Sequence, residues 1–153
     1  MRLAFAVTLA AAMIAGSTEV VAQTARPAER GLYLTIFRSP STGLEWRTAH
    51  VGVHGGYYPT VITRDGQREN VNFGRAGVTW YAKSQGAGVY VSPSVVWSLS
   101  DGWKNGALTD AGFRGRVFRA LNGRLGVGVL TTTDGEVRVN PTVGLDIKLG
   151  AGR

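Results

Sequence analysis

A chain of 153 residues has room for one domain on one core, and its formal charge of +7 (17 Lys and Arg against 10 Asp and Glu) suits anionic lipid head groups or acidic polymers without choosing between them. The absence of cysteine excludes disulfides, thiolate zinc sites and a lipid-bearing cysteine. After the N-terminus no run approaches the ~20 apolar residues of a membrane helix, so any membrane span has to be a barrel.

Taken in order, residues 1–22 read as a secretory signal peptide. Met1-Arg2 supplies the positive start, residues 3–15 an apolar run too short to cross a bilayer as a helix, and Val20-Val21-Ala22 a small-residue cleavage site before Gln23, with cleavage after Ser17 the second choice. Residues 23–30 are polar, contain Pro27 and form a flexible lead-in. From residue 31 to 149 the pattern changes to alternation of period two, the signature of strands with one apolar face. Segments 31–38 and 41–47 are separated by Ser39-Pro40. Segment 51–62 carries Val51, Val53 and Tyr57 against His50, Gly52, His54, Gly56 and Tyr58.

The polar run 63–70 is a loop by composition. Segment 71–83 follows, then a tight turn at 84–86, segment 87–98 and a second longer loop at 99–106. Segment 108–121 leads to Asn122-Gly123, a strong two-residue hairpin pair, then come segment 124–131, a turn at 133–135 and the final strand 137–149. Residues 150–153 are a short tail. The count is eight strands if Ser39-Pro40 is a turn and seven if 31–47 is one bent strand. Eight is favoured, because an even number lets the last strand pair antiparallel with the first and removes both edges. The expected fold is therefore all-β, a single antiparallel up-and-down barrel. Its first two strands are shorter than the ~9 to 11 residues of a tilted membrane strand, and Pro93 falls where a ladder donor is wanted, which a bulge would accommodate.

Alternation does not say which face is wet. The polar faces are rich in glycine and small residues, among them Gly52, Gly56, Gly77, Gly88, Ser92, Ser94, Gly112, Gly126, Gly128 and Gly144. Glycine weakens a strand and gains nothing on a water-facing surface, whereas a narrow interior must alternate small with large to fit Arg75, Arg114, Arg116 and Arg138. The polar face is therefore the expected inside. On the apolar face Trp46 and Trp80 fall near the ends leading into short turns, and Tyr57 and Trp97 near the opposite rim, the arrangement of aromatics at two membrane interfaces. The longer loops all fall at one end and the tight turns at the other.

Signal peptide, short strands, alternating loop lengths and a last strand reading Thr142-x-Gly144-x-x-Ile147-x-Leu149 together resemble the small eight-stranded outer-membrane β-barrel proteins. The resemblance implies insertion by the barrel assembly machinery through Thr142, Gly144, Ile147 and Leu149, and contact with outer-membrane lipid. Members of that family serve as envelope anchors, adhesins or lipid A enzymes, so the likeness leaves the role open.

Candidate chemistry is sparse. His50 and His54 share a face, but four residues of strand put them ~13 Å apart, too far for one metal ion. The lipid A deacylases that some barrels resemble carry a His and a Ser two residues apart on one strand; the stretch after His54 has no such serine, so no catalytic residue is assigned. Glu45, Asp110 and Asp146 face the same side as Arg47, Arg75, Arg114, Arg116, Arg138 and Lys148, and these acids and arginines with His54 form the expected lumen network, a salt-bridged plug. The run 113–119 interleaves basic and aromatic residues as a nucleic-acid surface does, but an exported chain rarely meets nucleic acid. No phosphate-loop or dinucleotide motif is present, and no cofactor is implied. The expectation is an integral outer-membrane barrel with a structural or surface-interaction role, its contact points the loops 63–70 and 99–106. The alternatives are a soluble periplasmic barrel around a small apolar ligand and a lipid-modifying outer-membrane enzyme.

Overall fold

A strand shows alternate side chains to opposite faces, so a two-faced sequence can close into a ring only if one set of side chains fits inside. The computed structural model describes residues 30–36, 42–64, 66–84, 86–118 and 121–149. It shows such a ring of eight strands: β1 (Gly31–Ile36), β2 (Thr42–Arg47), β3 (Val51–Arg64), β4 (Gln67–Tyr81), β5 (Gly88–Ser98), β6 (Gly106–Phe118), β7 (Leu121–Thr132) and β8 (Val137–Leu149). Each pairs antiparallel with its sequence neighbour, and β8 returns to β1 in the register Leu32↔Leu149 to Ile36↔Leu145, so the barrel is closed. Strand β5 shows the alternation most plainly. Gly88, Tyr90, Ser92, Ser94 and Val96 are buried, while Val89, Val91, Pro93, Val95 and Trp97 are exposed.

Two expectations on turns are corrected. The run 63–70 is not a loop: β3 continues through Arg64 and β4 starts at Gln67, paired from Tyr58↔Phe73 to Arg64↔Gln67, with the reversal around Gly66 at φ 79°. Polarity misled here because residues 67–70 are exposed on a hairpin that outruns the neighbouring strands, so their side chains are solvated while their backbone is paired. The Asn122-Gly123 pair is not a turn either. Asn122 lies in β7 opposite Arg116 and is buried, and Gly123 lies opposite Gly115. A two-residue turn of this type needs φ > 0 at both positions, and Gly123 is not among the glycines with positive φ. The β6–β7 reversal, Ser39-Pro40, the proposed signal peptide and the tail 150–153 lie outside the described residues.

Pro93 sits in β5 with no bulge on that strand. It faces Thr109 of β6, and the β4–β5 register is the same on either side of it, from Gly77↔Ser94 to Trp80↔Val91. The ladder loses its rungs locally, which is how a missing N–H is tolerated. The register shift that does occur is between Arg116 and Phe118 of β6.

The interior is filled in two layers. Near the end that holds the β3–β4 and β5–β6 connections, Tyr58, Ile62, Val71, Phe73, Val96, Leu108 and Leu130 form an apolar cluster with Trp103 packed against it. Toward the end that holds the chain termini, Arg47, Arg114, Glu45 and Asp146 are fully buried among Tyr33, Tyr81 and Tyr90. Glycine makes this second layer possible: a Cβ at Gly52 would collide with the Glu45 carboxylate, and one at Gly144 would lie 2.9 Å from Arg124 Cγ.

Candidate functional site

Among the described residues, titratable and nucleophilic side chains converge in the lumen. Glu45 and Arg47 are two apart on β2, hence on one face, and Arg47 Nη2 donates to Glu45 Oε2 at 2.6 Å. Tyr81 of β4 donates its hydroxyl to Glu45 Oε1 at 2.5 Å. Across the ring Asp146 of β8 accepts from Arg114 Nε at 2.6 Å and from Arg124 Nη2 at 2.8 Å, with Arg47 Nη2 at 3.8 Å. Arg124 also reaches Glu45 at 3.5 Å, which joins the two carboxylates into one network. The Arg47 guanidinium lies 3.9 Å from the centre of the Tyr33 ring and 4.6 Å from that of Tyr81, so aromatic rings stand against it where its Nη1 has no hydrogen-bond acceptor. Arg114 Nη1 donates to the carbonyl of Gly86, which ties the β4–β5 turn into the barrel mouth.

A second, neutral-to-charged network lies in the middle of the lumen. Arg75 Nη2 donates to Asp110 Oδ2 at 2.9 Å and to Ser94 Oγ at 2.7 Å, and Thr142 donates to Asp110 Oδ1 at 3.0 Å. His54 Nε2 is 3.0 Å from Ser94 Oγ, and its Nδ1 is 3.2 Å from Thr79 Oγ1. Arg75 can only donate, so the Ser94 hydroxyl accepts from it and keeps its own hydrogen for a further bond; in the His54 tautomer protonated on Nδ1 that hydrogen goes to Nε2, and Nδ1–H donates to Thr79.

The structure thus brings together a serine and a histidine that sequence reasoning looked for on one strand and did not find. They come from β3 and β5, in the row His54↔Gly77↔Ser94, and the missing side chain of Gly77 lets His54 reach across β4. A base beside a hydroxyl is the geometry of an activated nucleophile. Here the third group is a hydroxyl and not a carboxylate. The cavity beside His54, Glu45, Arg75 and Arg124 holds about 10 Å³, room for roughly one water.

Of the residues expected in the lumen, Glu45, Arg47, His54, Arg75, Asp110, Arg114 and Asp146 are in these two networks. Arg116 is exposed at the rim. Arg138 lies near the opposite end, donating to the Thr63 carbonyl at 3.0 Å and paired with Glu136 at 3.4 Å. Arg124, which bridges both carboxylates, was missed because the supposed turn at 122–123 placed it at a strand's frayed start. In the run 113–119, Phe113 is 58% exposed on the outside while Arg114 is buried inside, so these two do not share a surface.

The outer surface is apolar around the ring. Trp46, Trp80, Tyr57 and Trp97 all point outward and are exposed, together with Val53, Val95, Phe113, Leu125, Val139 and Val143. Trp97 lies flat over Gly74, where any Cβ would meet its ring. No protein-family model, curated protein or solved structure matches the chain. Its class rests on geometry alone: a closed eight-stranded antiparallel barrel with charged residues buried in the lumen and apolar residues on the exterior.

Proposed function

We propose that this chain is an integral outer-membrane β-barrel protein of the small eight-stranded kind, exported by a signal peptide and serving a structural or surface-interaction role. The observation that carries the reading is the inverted burial: Arg47, Arg114 and Asp146 are 0% exposed, while Trp46 is 59% and Val139 66% exposed. In water a continuous apolar band around a closed sheet would drive association, whereas in a bilayer it is the required surface. Apart from the rungs missing beside Pro93, each strand is paired on both sides around the ring, which is the condition for crossing hydrocarbon without an exposed edge. Outer-membrane lipid is then the partner of the outer face. Thr142, Gly144, Ile147 and Leu149 are the residues offered to the assembly machinery, and the β3–β4 hairpin with the 99–105 loop is the region offered to a surface partner.

The experiment is fractionation of cells making the full chain. The protein is expected in the outer membrane, resistant to extraction by high salt and faster on a gel when unheated. Release by osmotic shock would overturn the reading and promote a periplasmic binding barrel. Asp101→Cys is expected to react with an impermeant maleimide on intact cells, and Ser84→Cys only after the outer membrane is opened.

The His54–Ser94 pair is the observation that favours the lipid-modifying alternative. It points into a filled lumen and not toward the face that lipid would cover, so the structural role is preferred. Hydrolysis of lipid A or phospholipid by the purified protein, lost in Ser94→Ala, would reverse that preference.

A further inference from the structure

The cavity of about 10 Å³ inside the barrel is walled by glycine and by hydrogen-bond donors. Gly43 of β2 and Gly56 of β3 line it as a paired row, and the side chains they lack leave the space. Arg75 and Arg124 line it too, and the Nε of each is buried with no hydrogen-bond partner among the described residues. Arg75 is only 3% exposed, so its Nε–H has no bulk water to turn to. The lining carboxylate, Glu45, is already engaged: Oε1 accepts from Arg47 Nε and Tyr81, and Oε2 from Arg47 Nη2. A third donor comes from Ser92, which lines the cavity and is buried. With His54 protonated on Nδ1, Arg75 Nη2 donates to Ser94, Ser94 to His54 Nε2, Nδ1–H to Thr79 and Thr79 to Ser92, at 2.7, 3.0, 3.2 and 2.9 Å. The Ser92 hydrogen is then left for the cavity. Charge points the same way. Among the described residues three buried arginines, Arg47, Arg114 and Arg124, share two carboxylates, Glu45 and Asp146, while Arg75 is matched by Asp110.

We propose that this cavity binds one monatomic anion of the size and charge of chloride, held by Arg75 Nε–H, Arg124 Nε–H and the Ser92 hydroxyl. Size sets the class, because room for roughly one water-sized sphere shuts out phosphate, sulfate and carboxylates. Donor chemistry sets it further. A water that accepted from these groups would still have to place two hydrogens of its own, whereas a halide only accepts. It also supplies the negative charge that the arginines around Glu45 and Asp146 lack, and in an interior of low dielectric that charge counts for more than it does in water. Glu45 repels an anion here, but its own charge is offset by Arg47 at 2.6 Å and Arg124 at 3.5 Å. The site faces inward, so it does not rest on the membrane reading and holds whatever surrounds the barrel.

The test follows urea unfolding of the full chain in detergent by tryptophan fluorescence, with chloride exchanged for isethionate, an anion too large for the cavity, at constant ionic strength. Screening is then the same throughout. Once the site fills, the unfolding constant is expected to fall about tenfold for each tenfold rise in chloride, the slope of one bound ion. Bromide should act as chloride does. Ser92→Ala removes one donor and leaves every arginine in place, so it should weaken the apparent chloride affinity about tenfold. Lys104→Gln, at the opposite end, should leave it unchanged. An unfolding constant that does not respond to chloride would overturn the proposal, as would a response that Ser92→Ala does not move. Crystals of the full chain exchanged into bromide give the position: anomalous scattering is expected between Arg75, Arg124 and Ser92. Bromide on the outer surface with water in the cavity, an adventitious ion only, would overturn the site even if chloride stabilised the protein.

Discussion

The two layers of the lumen fill the same kind of space by opposite means. Around Phe73 and Leu108 seven apolar side chains pack without directional demands, and each contributes by the area it removes from water. Around Asp146 three arginines, two carboxylates and a tyrosine hydroxyl do it with directed bonds, each group desolvated and dependent on the others. The apolar layer tolerates change in proportion to volume lost. The ionic layer responds out of proportion, because removing one partner leaves the rest buried and uncompensated.

The comparison is broken most severely at Asp146. Asp146→Asn is expected to cost about 3 to 5 kcal/mol, since Arg114, Arg124 and Arg47 lose the negative charge they share and one carboxylate oxygen is replaced by an NH2 donor. Denaturant titration of the folded protein, followed by loss of the heat-sensitive gel shift, measures it. In the apolar layer Leu108→Ala should cost about 2 to 4 kcal/mol by the same assay, and Leu108→Met under about 1.5 kcal/mol, because only volume matters there. An equally conservative exchange in the ionic layer, Tyr81→Phe, should cost about 1.5 to 3 kcal/mol by removing the donor to Glu45. If Tyr81→Phe proves cheaper than Leu108→Met, the contrast between the layers is wrong. Smallest of all is salt: buried pairs are screened little, so raising ionic strength should shift the stability contributed by the Asp146 network by only a few tenths of a kcal/mol.

How far the sequence could be read follows from the same contrast. The eight strands and the inward direction of Arg75, Arg114 and Asp146 were legible, because period-two alternation is a local property and glycine on a polar face implies an interior. Partner choice was not. Which acid Arg124 meets, and that His54 meets Ser94, depend on register across two or three strands, and register is set by turns whose positions composition gave wrongly at 63–70 and 122–123. Nor does polarity distinguish a solvated loop from a paired hairpin that projects past its neighbours, since both show only their side chains to water.

Every neighbour in this ring but one is also a neighbour in sequence. Seven of the eight ladders join consecutive strands, while the eighth, Leu32↔Leu149 to Ile36↔Leu145, joins the first strand to the last. Hairpins form early because little chain entropy is lost in bringing their strands together, but the β1–β8 seam must gather more than a hundred intervening residues and has only a six-residue strand with which to do it. The seam is thus the last ladder to zip and the first to part. A nascent sheet, curled but unsealed, would expose the edges of Gly31–Ile36 and Val137–Leu149 together, so whatever guides the protein into its final state has to meet it at those two strands.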